Sequence, residues 1–113
     1  MPGLQDTIAE KLLDLVNSNY QTRRLPNFYA AALGQTVRKL NAASKKATGK
    51  LVTELITEQL LAEAERLLAE SALSIKEIAY ELDFADMAQF NHFMKRHTGH
   101  SPTAYRQMAR KDN

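Results

Sequence analysis

Two sets of mostly polar and cationic side chains stand about fifty residues apart in this chain. Thr36, Val37, Arg38, Lys39, Asn41, Lys45 and Lys46 form the first, and Met87, Gln89, Asn91, His92, Lys95 and Arg96 form the second. Arginine presents a two-pronged donor, asparagine and glutamine present a donor beside an acceptor, and lysine presents a point charge. Side chains of these types recognise hydrogen-bonding edges and polyanions. Lys45–Thr53 reads KKATGKLVT and Lys95–Thr103 reads KRHTGHSPT, with Lys45/Lys95, Thr48/Thr98, Gly49/Gly99 and Thr53/Thr103 identical. Leu40/Phe90 and Asn41/Asn91 continue the register upstream. Two copies are too few for a solenoid, so the repeat describes a duplicated small module.

Charge follows the repeat. Residues 35–50 hold Arg38, Lys39, Lys45, Lys46 and Lys50 and no acid, while residues 84–113 hold five bases against Asp86 and Asp112. Between them, residues 51–83 hold eight acids against Arg66 and Lys76. The overall charge of +2 conceals this alternation. Two basic segments at fixed spacing point to a long, grooved polyanion as partner.

Several chemistries lack their residues. No cysteine occurs, so no disulfide, zinc–thiolate site or cysteine nucleophile is possible. His92, His97 and His100 are spaced by five and three with Gly99 between the last two, which keeps them off one helix face, so no metal site is expected. No glycine-rich phosphate loop, nucleophile elbow or paired carboxylate appears. No enzyme activity and no cofactor are expected. No apolar run approaches the ~18 residues of a membrane span, and Met1-Pro2-Gly3 followed by Asp6 and Glu10 does not open a signal peptide. A cytoplasmic location is expected.

These side chains must be positioned by helices. Apolar residues at Ile8, Leu12, Leu15 and Val16 give a helical period over 4–20. Residues 18–26 read as a connection, and 28–33 as a short helix closed by Gly34. Thr36 then caps a helix running to about Ala47, which Gly49 stops. The longest uninterrupted segment, 51–72, has Leu55, Ile56, Leu60, Leu61, Ala64, Leu67 and Leu68 on one face and its glutamates largely elsewhere, with Thr53 or Thr57 as candidate cap. Ser74 and Glu77 form a capping box, and Ile75, Ile78, Ala79 and Leu82 form the buried stripe behind it. Asp86 caps a helix that turns Phe90, Phe93 and Met94 inward and ends at Gly99. Ser101 and Pro102 begin a last helix to about Arg110.

The expected fold is therefore all-α, with about seven helices: two helix-turn-helix subdomains joined by a long linker helix. The expected divisions are 1–50, 51–72 and 73–113. In a helix-turn-helix the second helix offers its polar face to the major groove of DNA, whose width admits an α-helix. Thr36, Val37, Arg38, Asn41, Met87, Gln89, Asn91 and His92 are the expected base contacts. Lys39, Lys45, Lys46, Lys95 and Arg96 are the expected phosphate contacts. A helical protein-interaction module, using the acidic surface of Glu58, Glu63, Glu65 and Glu70, is the competing reading.

Residues 75–106 carry a longer pattern: Ile75, Ile78, Ala79, Phe84, Asp86, Phe90, Phe93, Lys95, Arg96, Gly99, Ser101, Pro102, Tyr105 and Arg106. In this order it closely resembles the signature of the DNA-binding domain of AraC/XylS-type transcription activators. The resemblance implies two helix-turn-helix subdomains over roughly residues 5–110, double-stranded DNA as partner, and contact with RNA polymerase as a possible further role. The family usually adds a sensory or dimerisation domain, for which 113 residues leave no room, so the expectation is an isolated DNA-binding domain or a short stand-alone member. The chain departs from the pattern at Asp83, where glycine is usual, and at Met94, where a basic residue is frequent. In the first copy Ser44 stands in place of a bulky apolar residue, and Val52 in place of the second copy's proline.

Overall fold

A computed structural model describes residues 4–111; Met1 to Gly3 lie outside them. The described residues form seven helices and no strand: α1 (Leu4–Asn19), α2 (Pro26–Ala32), α3 (Val37–Thr48), α4 (Val52–Glu70), α5 (Ile75–Glu81), α6 (Met87–Thr98) and α7 (Pro102–Lys111). The chain divides into two compact units, Met1–Gln59 and Leu60–Asn113, with α4 contributing to each. Each unit contains one helix-turn-helix.

In the first unit, α1 runs to Asn19, slightly into the expected connection, and Asn19 Nδ2 donates to Leu15 O at 2.8 Å. Its stripe of Leu12 and Val16 joins Tyr29, Ala30, Leu40, Val52, Leu55 and Ile56 in one buried cluster. Tyr29 is fully buried yet satisfied, since its hydroxyl donates to Arg23 O at 2.6 Å. Burial raises its pKa, which the nearby Arg23 partly opposes. The helix α3 behaves as its sequence dictates: Thr36 Oγ1 accepts from Lys39 N–H at 3.1 Å, and Gly49 ends it at φ 79°.

The start of α4 differs from expectation. Neither Thr53 nor Thr57 caps it. Leu51 holds the capping position, Glu54 reaches back to accept from Leu51 N–H at 3.0 Å, and Asn41 accepts from Val52 N–H at 3.0 Å. Ser44 is fully buried, and its hydroxyl donates to Lys50 O at 2.6 Å, turning a polar core residue into a tie on the α3–α4 connection.

The second unit repeats the plan. Ser74 and Glu77 make the expected capping box, with Ser74 N–H to Glu77 Oε1 at 3.1 Å and Glu77 N–H to Ser74 Oγ at 3.0 Å. Ile78, Ala79, Leu82, Phe84, Phe90 and Met94 are buried. Phe84 stacks near Phe90 and Phe93, with ring centres at 5.0 and 5.2 Å. Met94, fully buried at the register of Ser44, belongs to the core, so no phosphate contact is lost at that position.

Both turns use one device. After α2, Gln35 N–H reaches Ala30 O at 2.9 Å and Gly34 N–H reaches Ala31 O at 3.2 Å. After α5, Phe84 N–H reaches Ala79 O at 2.9 Å and Asp83 N–H reaches Tyr80 O at 3.0 Å. This is the Schellman arrangement, which needs a left-handed residue after the helix. Gly34 supplies it at φ 64° and Asp83 at φ 61°. The second turn is one residue longer: Gln35 directly precedes the Thr36 cap, whereas Ala85 stands between Phe84 and the Asp86 cap.

The last helix has a role not legible in the local pattern. Arg106 Nε donates to Leu68 O at 2.9 Å and Nη2 approaches Leu67 O and Ser71 O at 3.4 and 3.5 Å. Arg110 donates to Ala69 O at 3.4 Å and to Ser71 O. Leu68 O and Ala69 O, near the C-terminus of α4 where carbonyls lack partners within the helix, are thus met by two guanidinium groups, while Leu67 O also accepts from the Ser71 N–H and hydroxyl. Burial, and then the charge of Arg110, lowers the pKa of Arg106.

Candidate nucleic-acid interface

The helix α3 buries Leu40, Ala43 and Ser44, and its exposed side is opposite. Arg38, Ala42 and Lys46, spaced by four, run along the middle of that exposed side, with Lys39 and Lys45 flanking them; all five are exposed. Among the described residues, none of the four cationic side chains has a hydrogen-bond or ion-pair partner. Lys50, by contrast, is paired with Glu58. Residues 35–50 contain no carboxylate, so nothing in this segment neutralises the stripe. Thr36 is exposed at its start, with the hydroxyl oxygen engaged as cap. Val37 is half-buried against the core of the first unit.

Asn41 has a partner within the fold that the sequence did not show. It lies on the flank of α3, half-buried, and its carboxamide oxygen holds Val52 N–H. That bond ties it to the start of α4. Sequence reasoning placed it among base contacts because its partner lies eleven residues further on, beyond any local signal.

The helix α6 buries Phe90 and Met94. Ala88, His92 and Arg96 lie along the middle of its exposed side, with Gln89 and Lys95 beside them and Met87 48% exposed at its start. Ala88 was not among the expected contacts, although the spacing of four with His92 and Arg96 marks it. Gln89 is tied by both ends: its backbone N–H donates to Asp86 Oδ1 at 2.8 Å, and its side-chain oxygen accepts from Ala85 N–H at 2.7 Å. The extra residue in this turn, Ala85, therefore consumes half of the Gln89 amide. Asn91 is half-buried and has no hydrogen-bond partner among the described residues. Lys95 and Arg96 are exposed and unpaired among the described residues. The His97 ring packs on Phe93 with centres at 4.7 Å, which separates it from the exposed stripe.

Helix ends add to the field. Lys45 and Lys46 close α3, and Lys95, Arg96 and His97 close α6, placing cations where the partial negative charge of a helix C-terminus favours them. Each unit thus offers a 12-residue helix, capped at both ends, with a polar and cationic outer face and an apolar inner one.

Comparison with known proteins agrees with this geometry. A family model described as a helix-turn-helix domain matches residues 29–108. The HTH-type transcriptional activator Btr of Bacillus subtilis (strain 168) is 38% identical over 58 residues, which are 51% of this chain; the match spans 11% of that protein's length. Among solved structures, the C-terminal domain of AraT, a response regulator from Geobacillus stearothermophilus, superposes with a TM-score of 0.84 at 22% identity, covering 94% of this chain and 88% of that one. The DNA-binding domain of AdpA, a global transcriptional factor solved in complex with a target DNA, superposes with a TM-score of 0.81 at 22% identity, covering 93% and 95%. At these identities the two structures show the fold. With the family model covering well over half its length, the chain belongs to the AraC/XylS-type helix-turn-helix family.

Proposed function

We propose that this chain binds double-stranded DNA in a sequence-dependent manner, as a transcription regulator or the DNA-binding part of one, without covalent chemistry of its own. The observation that carries this reading is the outer face of α3, where Arg38, Lys39, Lys45 and Lys46 are exposed, unpaired among the described residues and unopposed by any acid in residues 35–50. Unneutralised cations on a capped helix suit a phosphate backbone, because releasing condensed counterions drives such binding. The neighbour AdpA, solved with its target DNA, supports the same reading.

In this reading α3 and α6 each present an outer face to a major groove. Thr36, Val37, Arg38, Met87, Gln89, Asn91 and His92 face bases, and the exposed Ala42 and Ala88 join them. Arg38 makes the two-pronged guanine contact. Lys39, Lys45, Lys46, Lys95 and Arg96 hold phosphates and set position without reading sequence. Contact with RNA polymerase belongs to this proposal, as does a cytoplasmic setting; no described helix is long and apolar enough to cross a membrane. The acids of α4 are poorer candidates for a partner surface than their number suggests, since Glu58 pairs with Lys50, and Glu63 and Glu70 pair with Arg66.

Electrophoretic mobility shifts with variant proteins test this reading. Arg38→Ala is expected to relax preference at one base pair at a cost of about 1–3 kcal/mol, while Lys95→Ala weakens all sequences alike. Absence of any shift at ~50 mM salt contradicts the reading.

A further inference from the structure

Asn41 and Asn91 stand at one register of the two recognition helices, fifty residues apart, and both are half-buried. Their surroundings differ in one donor that matters to the carboxamide. The Asn41 carboxamide oxygen accepts from Val52 N–H at 3.0 Å. Fifty residues later the corresponding residue is Pro102, buried as the first residue of α7. Proline has no N–H. Asn91 therefore lacks the partner that immobilises Asn41, and among the described residues no other group replaces it. It opens instead on a shallow recess lined by Ile75, Met87, Ala88, Pro102 and Thr103.

We propose that Asn91 is a specificity-determining residue that reads an adenine beneath α6, that Asn41 is a strut with no reading role, and that the Val52/Pro102 difference sets this division of labour. The inference rests on the DNA-binding reading above. An asparagine carboxamide sets an acceptor beside a donor, which matches the N6 amino group and N7 of adenine in the major groove. That match needs both halves of the amide turned to the base. Asn91 keeps both; Asn41 has turned its oxygen to Val52. The same recess suits the rest of the base pair, because the methyl group of the paired thymine favours apolar contact, and Met87 and Ala88 offer it. Asn41 in turn cannot be spared from the fold. Val52 is fully buried, and removing its acceptor leaves a buried N–H unpaired.

The test selects duplexes from a randomised double-stranded pool with the whole chain, as wild type, Asn41→Ala, Asn91→Ala and Pro102→Val, and records the melting temperature of each. Wild type and Asn41→Ala are expected to enrich the same sequence, with Asn41→Ala melting lower. Asn91→Ala is expected to melt as wild type and to lose one A·T requirement, the discrimination at that pair falling by about 5- to 150-fold. Pro102→Val restores the N–H and is expected to lose the same requirement. The proposal is overturned if Asn41→Ala loses a base requirement, or if Asn91→Ala enriches the unchanged wild-type sequence. Should Pro102→Val fail to fold, the two asparagine variants decide the matter by themselves. A wild-type chain that enriches nothing overturns the DNA-binding reading, and this proposal with it; enrichment that is indifferent to Asn91 overturns this proposal alone.

Discussion

Asp83 occupies a left-handed backbone conformation that its counterpart Gly34 adopts without strain. A Cβ at Gly34 would meet no atom within 4 Å, so the requirement for glycine there is one of backbone angle and not of space. Gly34→Ala is therefore expected to cost about 1 kcal/mol, and Asp83→Gly to stabilise the protein by about 0.5–1 kcal/mol, both measured by thermal or denaturant unfolding. The capping box gives a second expectation. Hydrogen bonds from the Ser74 backbone and side chain hold the Glu77 carboxyl below its ordinary value of 4.5. A depressed carboxylate stabilises the fold above the ordinary value and loses that contribution as pH falls through the folded one. The stability gap between wild type and Glu77→Gln is thus expected at neutral pH and to close as the medium is acidified below about pH 4.5, followed by unfolding curves over that range. Caps such as Thr36, Ser74, Asp86 and Ser101 were legible in the sequence because donor and acceptor lie three residues apart. The hydrogen bonds of Asn41 and Gln89 were not legible for the opposite reason: what uses their oxygens depends on chain geometry, at Val52 and at the inserted Ala85.

At the scale of elements, the end of α4 depends on α7. The stripe of Ala64 and Leu68 explains why α4 is buried on one face, yet its C-terminus holds no basic residue and no glycine follows it. Arg106 and Arg110 supply the missing partners from 35 to 41 residues away. Hydrogen bonds involving a charged donor contribute about 1.5–3 kcal/mol. Arg106→Ala is accordingly expected to destabilise the protein by about 2 kcal/mol, and Arg106→Lys to recover little, since a single ammonium lacks the planar fork that spans several carbonyls. Calorimetric melting checks both. Affinity for DNA, measured well below the melting temperature, is expected to stay near wild type in Arg106→Lys. Sequence order revealed the existence and type of every helix here, because periods, prolines and glycines are local. It showed Arg106 and Arg110 only as bases among residues 84–113, because a long-range cap leaves no periodic trace.

For the whole chain, the fifty-residue repeat announced two modules, and each unit does contain one helix-turn-helix. The repeat also concealed something. The registers of α3 and α6 differ by fifty residues, whereas their left-handed turn residues, Gly34 and Asp83, differ by forty-nine. One inserted residue changes how the second turn meets its recognition helix, and it ties Gln89 in a way that has no counterpart in the first unit. The two copies share the ends of α3 and α6, with lysine, threonine and glycine in common, and differ where base contacts are proposed, Arg38 and Ala42 against Ala88 and His92. A scaffold built in this way suits an asymmetric target, with unlike blocks under α3 and α6.

The most direct test of this account is the salt dependence of affinity for a selected duplex, measured by fluorescence anisotropy between about 50 and 200 mM monovalent salt. Five proposed phosphate contacts, from Lys39, Lys45, Lys46, Lys95 and Arg96, are expected to give a slope of log K against log salt of about −4.5, with a scrambled duplex bound more weakly at every salt concentration. An affinity indifferent to salt, or equal for the selected and scrambled duplexes, would contradict it.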